Sequence, residues 1–352
     1  MPTPRVEIDL SKVVHNANAL KKLYGDRGIR ISAVTKVVCG DPRIAAALVD
    51  GGITELADSR IANIRKMRGA GVDATFLLVR IPSFSEAAEV VTSADRSLNS
   101  DLTVIRELSW QAVKQGVVHG VVLMVELGDL REGLMPAELL RTVAQVRKLD
   151  GVALAGIGTN LACFGGIQPD AQNMDRLSEL ARDVEREFGI TLAHVSGGNS
   201  ANYTWFMAST DLGMVNELRL GESIYLGRET LFRAPIPGLF TDAFTLVAEV
   251  IESRTKPSVP HGQRCQNAAG VVPQFVDQGD MGRVILALGS QDVLVSGLTP
   301  KDRVEILGGS GDHTILDVGE TTYISGDEVA FGLDYGALLT AMTSPYVEKV
   351  IV

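Results

Sequence analysis

Cysteine is scarce: Cys39, Cys163 and Cys265 are the only three in 352 residues. Three scattered thiols exclude a disulfide framework, and no two of them have zinc-ligand spacing. Long hydrophobic runs are missing too. None reaches the ~18 residues of a membrane span, and the opening MPTPRVEIDL does not read as a signal peptide. There is no basic excess either. With 33 Lys+Arg against 43 Asp+Glu the formal charge is −10, which argues against nucleic acid or an anionic membrane as the main partner. Hydrophobic residues at 45% and charged ones at 22% exclude disorder and fibrous repeats. These absences predict a soluble, cytoplasmic protein of about two domains with room for a large core.

What is present is alternation. Short β-rich runs at 30–36, 75–80, 120–127, 152–160, 191–198 and 216–222, with weaker ones at 55–59 and 97–100, are separated by helical periodicity. Met174, Leu177, Ala181, Val184 and Phe188 step by three and four and so share one helix face. Asp41-Pro42 reads as an N-cap with proline in the first turn, and Gly51 as the stop of that helix. Ser83 and Glu86 have the spacing of a capping box. Eight β/α units predict a closed (β/α)8 TIM barrel over residues 10–235 rather than an open doubly wound sheet. Beyond Phe240 the runs LVAEVIES, GRVILALG, DRVEILGG and DEVAFGLD alternate with Gly, Pro and Asp turns. They predict a C-terminal antiparallel all-β domain, residues 236–352 joined by 1–9, with one helix near 335–342. The joint falls at 234–238.

Barrel enzymes gather their chemistry at the C-terminal ends of the strands. There stand Lys36, Arg131, Thr159-Asn160, the run Ser196-Gly197-Gly198-Asn199-Ser200, and Arg219 followed by Gly221 and Glu222. A lysine at a barrel mouth is costly unless it is paired or chemically used; the bland alternative for Lys36 is a structural salt bridge. The loops after the seventh and eighth strands form the usual phosphate cradle of such barrels. An amine, a guanidinium and a phosphate cradle on one rim suggest pyridoxal 5'-phosphate held on a lysine as a Schiff base.

VEIDLSKVVHNANAL, AVTKVVCGD, LGDLREGL, HVSGGNSAN and NELRLGESIYLG, in that order, resemble the fold-type III pyridoxal-phosphate enzymes of the alanine racemase superfamily. TKPSVPHG, SQDVLVSGLTP and AMTSPYV extend the resemblance to its ornithine racemase branch, so that it covers nearly the whole chain. The resemblance implies Lys36 as the reactive lysine and Arg131 near the cofactor's phenolic oxygen and the substrate. It puts Asn160 beside the ring, Asn199 and Ser200 on the phosphate, and Arg219 facing the pyridine nitrogen. Gly221 and Glu222 offer backbone N–H to the phosphate. Tyr346 is a further phosphate ligand or base, and Asp292 a substrate contact. Three positions depart from alanine racemases: Gly40 stands for a phosphate-binding tyrosine, Asn160 for a ring-stacking histidine, and His261 for the tyrosine that is the second catalytic base.

Racemisation needs proton removal on one face of Cα and return on the other, hence two bases. Lys36 is one, and His261 is the candidate for the other because an imidazole titrates near neutral pH. Bland alternatives stand beside these roles: an inter-strand ion pair for Arg219, a solvated loop for His261, packing for Tyr346, a turn for Asp292. Cys163 either approaches the cofactor or is a buried apolar cysteine. The function implied is a racemase of ornithine or another basic amino acid, working as a homodimer with shared sites. An alanine or broad-spectrum racemase, a D-amino-acid aldolase and a non-catalytic cofactor carrier are the alternatives. No His/Cys pair with metal-site spacing supports the aldolase, and the added β domain disfavours the carrier.

Overall fold

Local rules set the helices. In the computed structural model, which describes residues 2–267 and 270–352, Asp41 Oδ1 accepts the Arg43 N–H at 2.9 Å and Pro42 opens the helix that Gly51 closes. Such a cap contributes about 1 kcal/mol. Asp170 and Asn173 form a reciprocal capping box ahead of the helix whose Met174, Leu177, Ala181 and Val184 are buried. The Ser83–Glu86 box expected from sequence does not form. Ser83 makes no side-chain cap, because the chain first takes a single 3-10 turn there.

Eight strands close into a parallel barrel: β2 (Arg30–Val34), β3 (Glu55–Asp58), β4 (Thr75–Leu78), β5 (Arg96–Asn99), β6 (His119–Met124), β7 (Val152–Gly158), β8 (His194–Ser196) and β9 (Glu217–Leu220). The first strand of the chain, β1 (Arg5–Ile8), lies outside it. Helices follow in order: α1 (Leu10–Gly25) before β2, then α2 (Pro42–Asp50), α3 (Ile61–Gly69), α4 (Ala87–Ser93), α5 (Leu102–Gln115), α6 (Leu139–Val146), α7 (Ala171–Phe188), α8 (Tyr203–Ala208) and α9 (Glu222–Leu226). Val34, Ala57, Leu77, Leu98, Val122 and Met124 form one buried apolar cluster. The expected runs overshoot at their C-terminal ends: β2 stops at Val34 instead of Lys36, and β7 at Gly158 instead of Asn160. Thr35 and Thr159, the first residues beyond these ends, stay buried while the backbone already turns at the mouth.

The chain divides into two compact units, Ser11–Thr241 with the barrel, and the residues up to Leu10 with Asp242–Val352. The second unit is built from β1, β10 (Phe244–Pro257), β11 (Asp280–Leu286), β12 (Leu298–Pro300), β13 (Glu305–Gly309), β14 (Thr314–Asp317), β15 (Glu328–Leu333) and β16 (Glu348–Ile351), with α10 (Tyr335–Thr343) between the last two strands. The strand order is β12-β15-β10-β11-β14-β13, and β1 pairs antiparallel with β10. One parallel pair, β1 with β16, breaks the otherwise antiparallel pattern. Arg5 locks β1 to β15 through a bidentate pair with Glu328 at 2.6 and 2.8 Å. Among the described residues no helix is long and apolar enough to cross a membrane.

Candidate active site

The turn after β2 delivers Lys36. Thr35 is fully buried and donates to Asp58 Oδ2 at 2.8 Å, which ends the strand. Lys36–Val38 then makes a 3-10 turn, closed by left-handed Cys39 and Gly40. A Cβ on Gly40 would lie 2.7 Å from Asn63 Cβ, so no side chain can reach a phosphate from this position. Burial pushes the Lys36 ammonium below the ordinary lysine value, helped by the Arg131 and Arg219 charges and opposed by Cys163 and Asp58. Asp58, at the end of β3, is buried and accepts from Thr35, Arg60 N–H (2.9 Å) and Asn63 (3.0 Å). Burial raises its pKa and these bonds oppose the rise. No salt bridge to Lys36 is present among the described residues; the structural-lysine alternative has no partner in the barrel.

Arg219 projects from β9 into the same mouth. Its Nη1 donates to Ser196 Oγ, and its Nη2 to Thr159 O (2.9 Å) and Asn160 Oδ1 (3.4 Å). The bonds tie it to neutral partners, not into the inter-strand ion pair that was the bland alternative. Burial lowers its pKa, with Glu217 the largest opposing charge. Beside it Ser200 Oγ lies 3.0 Å from Ser223 Oγ and accepts the Ser223 N–H at 3.3 Å. These hydroxyls bring together the turns that follow β8 and β9, where Gly221 leads into α9. The Glu222 side chain is committed elsewhere, to an ion pair with Arg233.

Two loops complete the rim. Arg131 sits on the loop after β6 and pairs with its neighbour Glu132. A Cβ on Gly133, at φ +149°, would come within 2.4 Å of Glu126 N, so only glycine lets this loop fold back on β6. The loop after β7 is held by buried Asp129: Oδ1 accepts the Cys163 N–H at 3.2 Å and Oδ2 the Phe164 N–H at 2.9 Å. Gly165 N–H, at 3.1 Å, is shared between Oδ1 and the Asp129 carbonyl. Cys163, on this clamped loop, is exposed, contrary to the buried-cysteine expectation. Asn160 Nδ2 donates to its Sγ at 2.9 Å. Asn199 Oδ1 caps Ala201 N–H, and its Nδ2 reaches Asn160 Oδ1, Leu161 O and Cys163 Sγ, so the side chain ties two loops together.

Deeper in the barrel lies a charged layer that sequence reasoning missed. Arg96 bonds Glu55 and, at 3.3 Å, Glu217; His194 Nδ1 meets Glu217 at 2.5 Å, and Ser32 bonds Glu55. Burial pushes the Glu217 carboxyl up, but His194, Arg96 and Arg219 together hold it well below the ordinary carboxylate range. A cavity of about 560 Å³ opens beneath this layer, lined by Arg30, Thr54, Glu55 and Arg96. It lies at the starts of the strands, away from Lys36.

His261, Asp292 and Tyr346 belong to the other unit. His261 is exposed in the stretch after β10. Asp292 is buried and its Oδ2 accepts the Gly289 N–H at 2.8 Å, the turn-forming role that was its bland alternative. Tyr346 is 65% exposed, which excludes simple packing.

The barrel rim fits pyridoxal 5'-phosphate by its donor set: an amine with lowered pKa to engage the aldehyde, a buried guanidinium for the ring, and hydroxyl and N–H donors for the phosphate. Residues 8–229 match the alanine racemase N-terminal domain family. The chain belongs to that family. It is 40% identical over 351 residues to an ornithine racemase of Acetoanaerobium sticklandii, covering 98% of this chain and 99% of the relative. It is also 40% identical over 353 residues to a lysine racemase of Thermotoga maritima, covering 99% of each. An alanine racemase structure from Streptomyces coelicolor superposes with TM-score 0.78 at 18% identity, over 99% of this chain and 97% of that one. The family member described here therefore has the racemase fold, the isomerase reaction class and the cofactor that its motifs implied.

Proposed function

We propose that this protein is a pyridoxal-phosphate-dependent racemase of basic amino acids, ornithine or lysine, acting by proton exchange at Cα. The observation that carries the reading is the convergence of Lys36, Arg219 and the Ser200–Ser223 hydroxyls on one rim. Full-length similarity to an ornithine and a lysine racemase supports the substrate class. Lys36 would hold the cofactor, Arg219 its ring nitrogen, Ser200, Ser223 and the backbone at Gly221 and Glu222 its phosphate. Arg131 would take an oxygen substituent or the substrate carboxylate. When bound, the cofactor supplies the electron withdrawal that makes the Cα proton acidic. Lys36 then removes or returns that proton, and burial, which lowers its pKa, favours the free amine over the ammonium. Arg219 donates and never accepts, since a guanidinium does not give up its proton; this favours simple proton exchange over side reactions.

Leu130 and Phe164, on the rim loops, are 71% and 76% exposed. Exposed apolar residues beside a site that must exclude water call for a cover. We assign that cover to the β unit of a second copy, with His261 and Asp292 on its rim, in a twofold homodimer. Cys39, Cys163 and Cys265 form no disulfide among the described residues, which fits a reducing compartment, and we place the enzyme in the cytoplasm. Incubation with each enantiomer of ornithine, lysine and alanine, read by chiral chromatography, tests the function. Conversion of ornithine or lysine well ahead of alanine is expected; alanine as the preferred substrate, or no inversion of any, contradicts it. A fully active monomer would remove the shared-site arrangement alone.

A further inference from the structure

We infer that the thiol of Cys163 is the second proton-exchange group, acting on the face of Cα opposite Lys36. The inference deepens the racemase reading and rests on it. Its first support is topology. The barrel closes in the order β2 to β9, so Lys36 follows the first barrel strand and Cys163 the sixth. Around the closed rim, the seventh and eighth strands lie between them. Those two strands deliver Ser200, Ser223 and Arg219, the groups assigned to the cofactor. Lys36 and Cys163 thus stand on either side of these anchors along the rim, so each can approach a substrate held there from a different direction.

Placement of the sulfur is the second support. The Asp129 clamp fixes the loop at Cys163, Phe164 and Gly165, and Ala162, just before the thiol, takes a left-handed φ of 55°. Asn160 Nδ2 donates to Sγ at 2.9 Å while its Oδ1 accepts from Arg219 at 3.4 Å. One amide therefore indexes the sulfur against the guanidinium assigned to the ring. A sulfur that accepts an N–H is held ready for the state it must occupy after giving up a proton. Cys163 lies within electrostatic range of Lys36, Arg131 and Arg219. His261, the candidate from sequence, lies on an exposed stretch of the other unit.

The proton count closes without a co-reactant. In one direction uncharged Lys36 takes the Cα proton and the Cys163 S–H gives its proton to the opposite face, leaving ammonium and thiolate. The reverse direction starts from that ion pair and restores amine and thiol. With product released and the site open, Cys163, exposed in the single chain, regains its proton from solvent as Lys36 gives its proton up.

The test uses holoenzyme with Cys163→Ala and Cys163→Ser, with ornithine or lysine in D2O. Inversion is read by chiral chromatography, and Cα hydrogen exchange of each enantiomer by NMR. Inversion should fall at least ~100-fold, while exchange of the one enantiomer that presents its proton to Lys36 stays within about fivefold of wild type and the cofactor's visible absorbance persists. A second readout needs no turnover: loading the wild-type apoprotein with pyridoxal 5'-phosphate should protect Cys163, and not Cys265, from iodoacetamide by at least ~10-fold in mapped peptides. Wild-type inversion rates in Cys163→Ala, equal loss of exchange for both enantiomers, or alkylation of Cys163 indifferent to the cofactor would each overturn the inference while leaving the racemase reading intact. A wild-type protein that inverts no amino acid would instead overturn that reading.

Discussion

Asp129→Asn is the substitution that separates placement of the rim from its chemistry. The buried carboxylate carries the Cys163 and Phe164 N–H groups, at 3.2 and 2.9 Å, whereas Gly165 N–H also has the Asp129 carbonyl. The amide keeps one acceptor oxygen and turns an NH2 toward the other donor, so one of two charge-assisted bonds is lost and one N–H is left facing a donor. That costs ~2 kcal/mol, and it is paid locally, since the loop is exposed and can open without the barrel. A local loss of this size corresponds to a ~30-fold fall in amide protection. Hydrogen exchange by mass spectrometry should show that fall in the peptide carrying 163–165 and little change in peptides of β8 and β9. Cofactor affinity should hold within a few-fold, because Ser200, Ser223 and Arg219 come from other strands, while kcat drops at least tenfold. Unchanged protection at 163–165 would refute the clamp, and unchanged kcat with lost protection would refute its role in catalysis.

The charged layer predicts large effects far from the rim. Glu217→Ala should cost ~3 kcal/mol in urea unfolding, because it removes the shared carboxylate of a buried network, taking the partner of His194 and one of the two partners of Arg96; a loss under ~1 kcal/mol would show the layer to be compensated by water. Glu217 titrates below its unfolded value, so its contribution is complete above ~4.3 and is lost as pH falls through the lowered native pKa. His119 is buried, and desolvation, opposed by its bond to Ala94 O, lowers it from 6.5 to about 4. It stays neutral in the native state, so its contribution is present above 6.5 and fades as pH falls toward 4, by up to ~3 kcal/mol. Urea midpoints should drop between pH 7 and 5, and less steeply in His119→Gln; equal slopes would contradict the assignment.

Helix ends were legible where a single side chain decides them, as at Asp41-Pro42 and Gly51. Strand ends were not, because burial continues past the last ladder bond: Thr35, Val37 and Val38 are buried although β2 stops at Val34. The apolar pattern reports burial, and at a barrel mouth burial and strand part company. Lys36, Arg219 and Ser200 stood out because each closes a motif. Asp58, Asp129 and Glu217 did not, since an acidic residue among 43 gains meaning only from the register that turns it inward. Ser223 was hidden behind its neighbour Glu222 in the same motif. Cys163 was seen but left between two roles; its exposure removes the buried one, and the Asp129 clamp that holds its loop joins residues from two loops.

The central claim is that Lys36 is the amine that engages the cofactor. Reducing the cofactor-loaded protein with borohydride and mapping the pyridoxyl label by mass spectrometry tests it most directly. The account predicts one label per chain, on Lys36, with none retained in Lys36→Ala. A label on any other lysine, or stable labelling of Lys36→Ala at the same level, would contradict it.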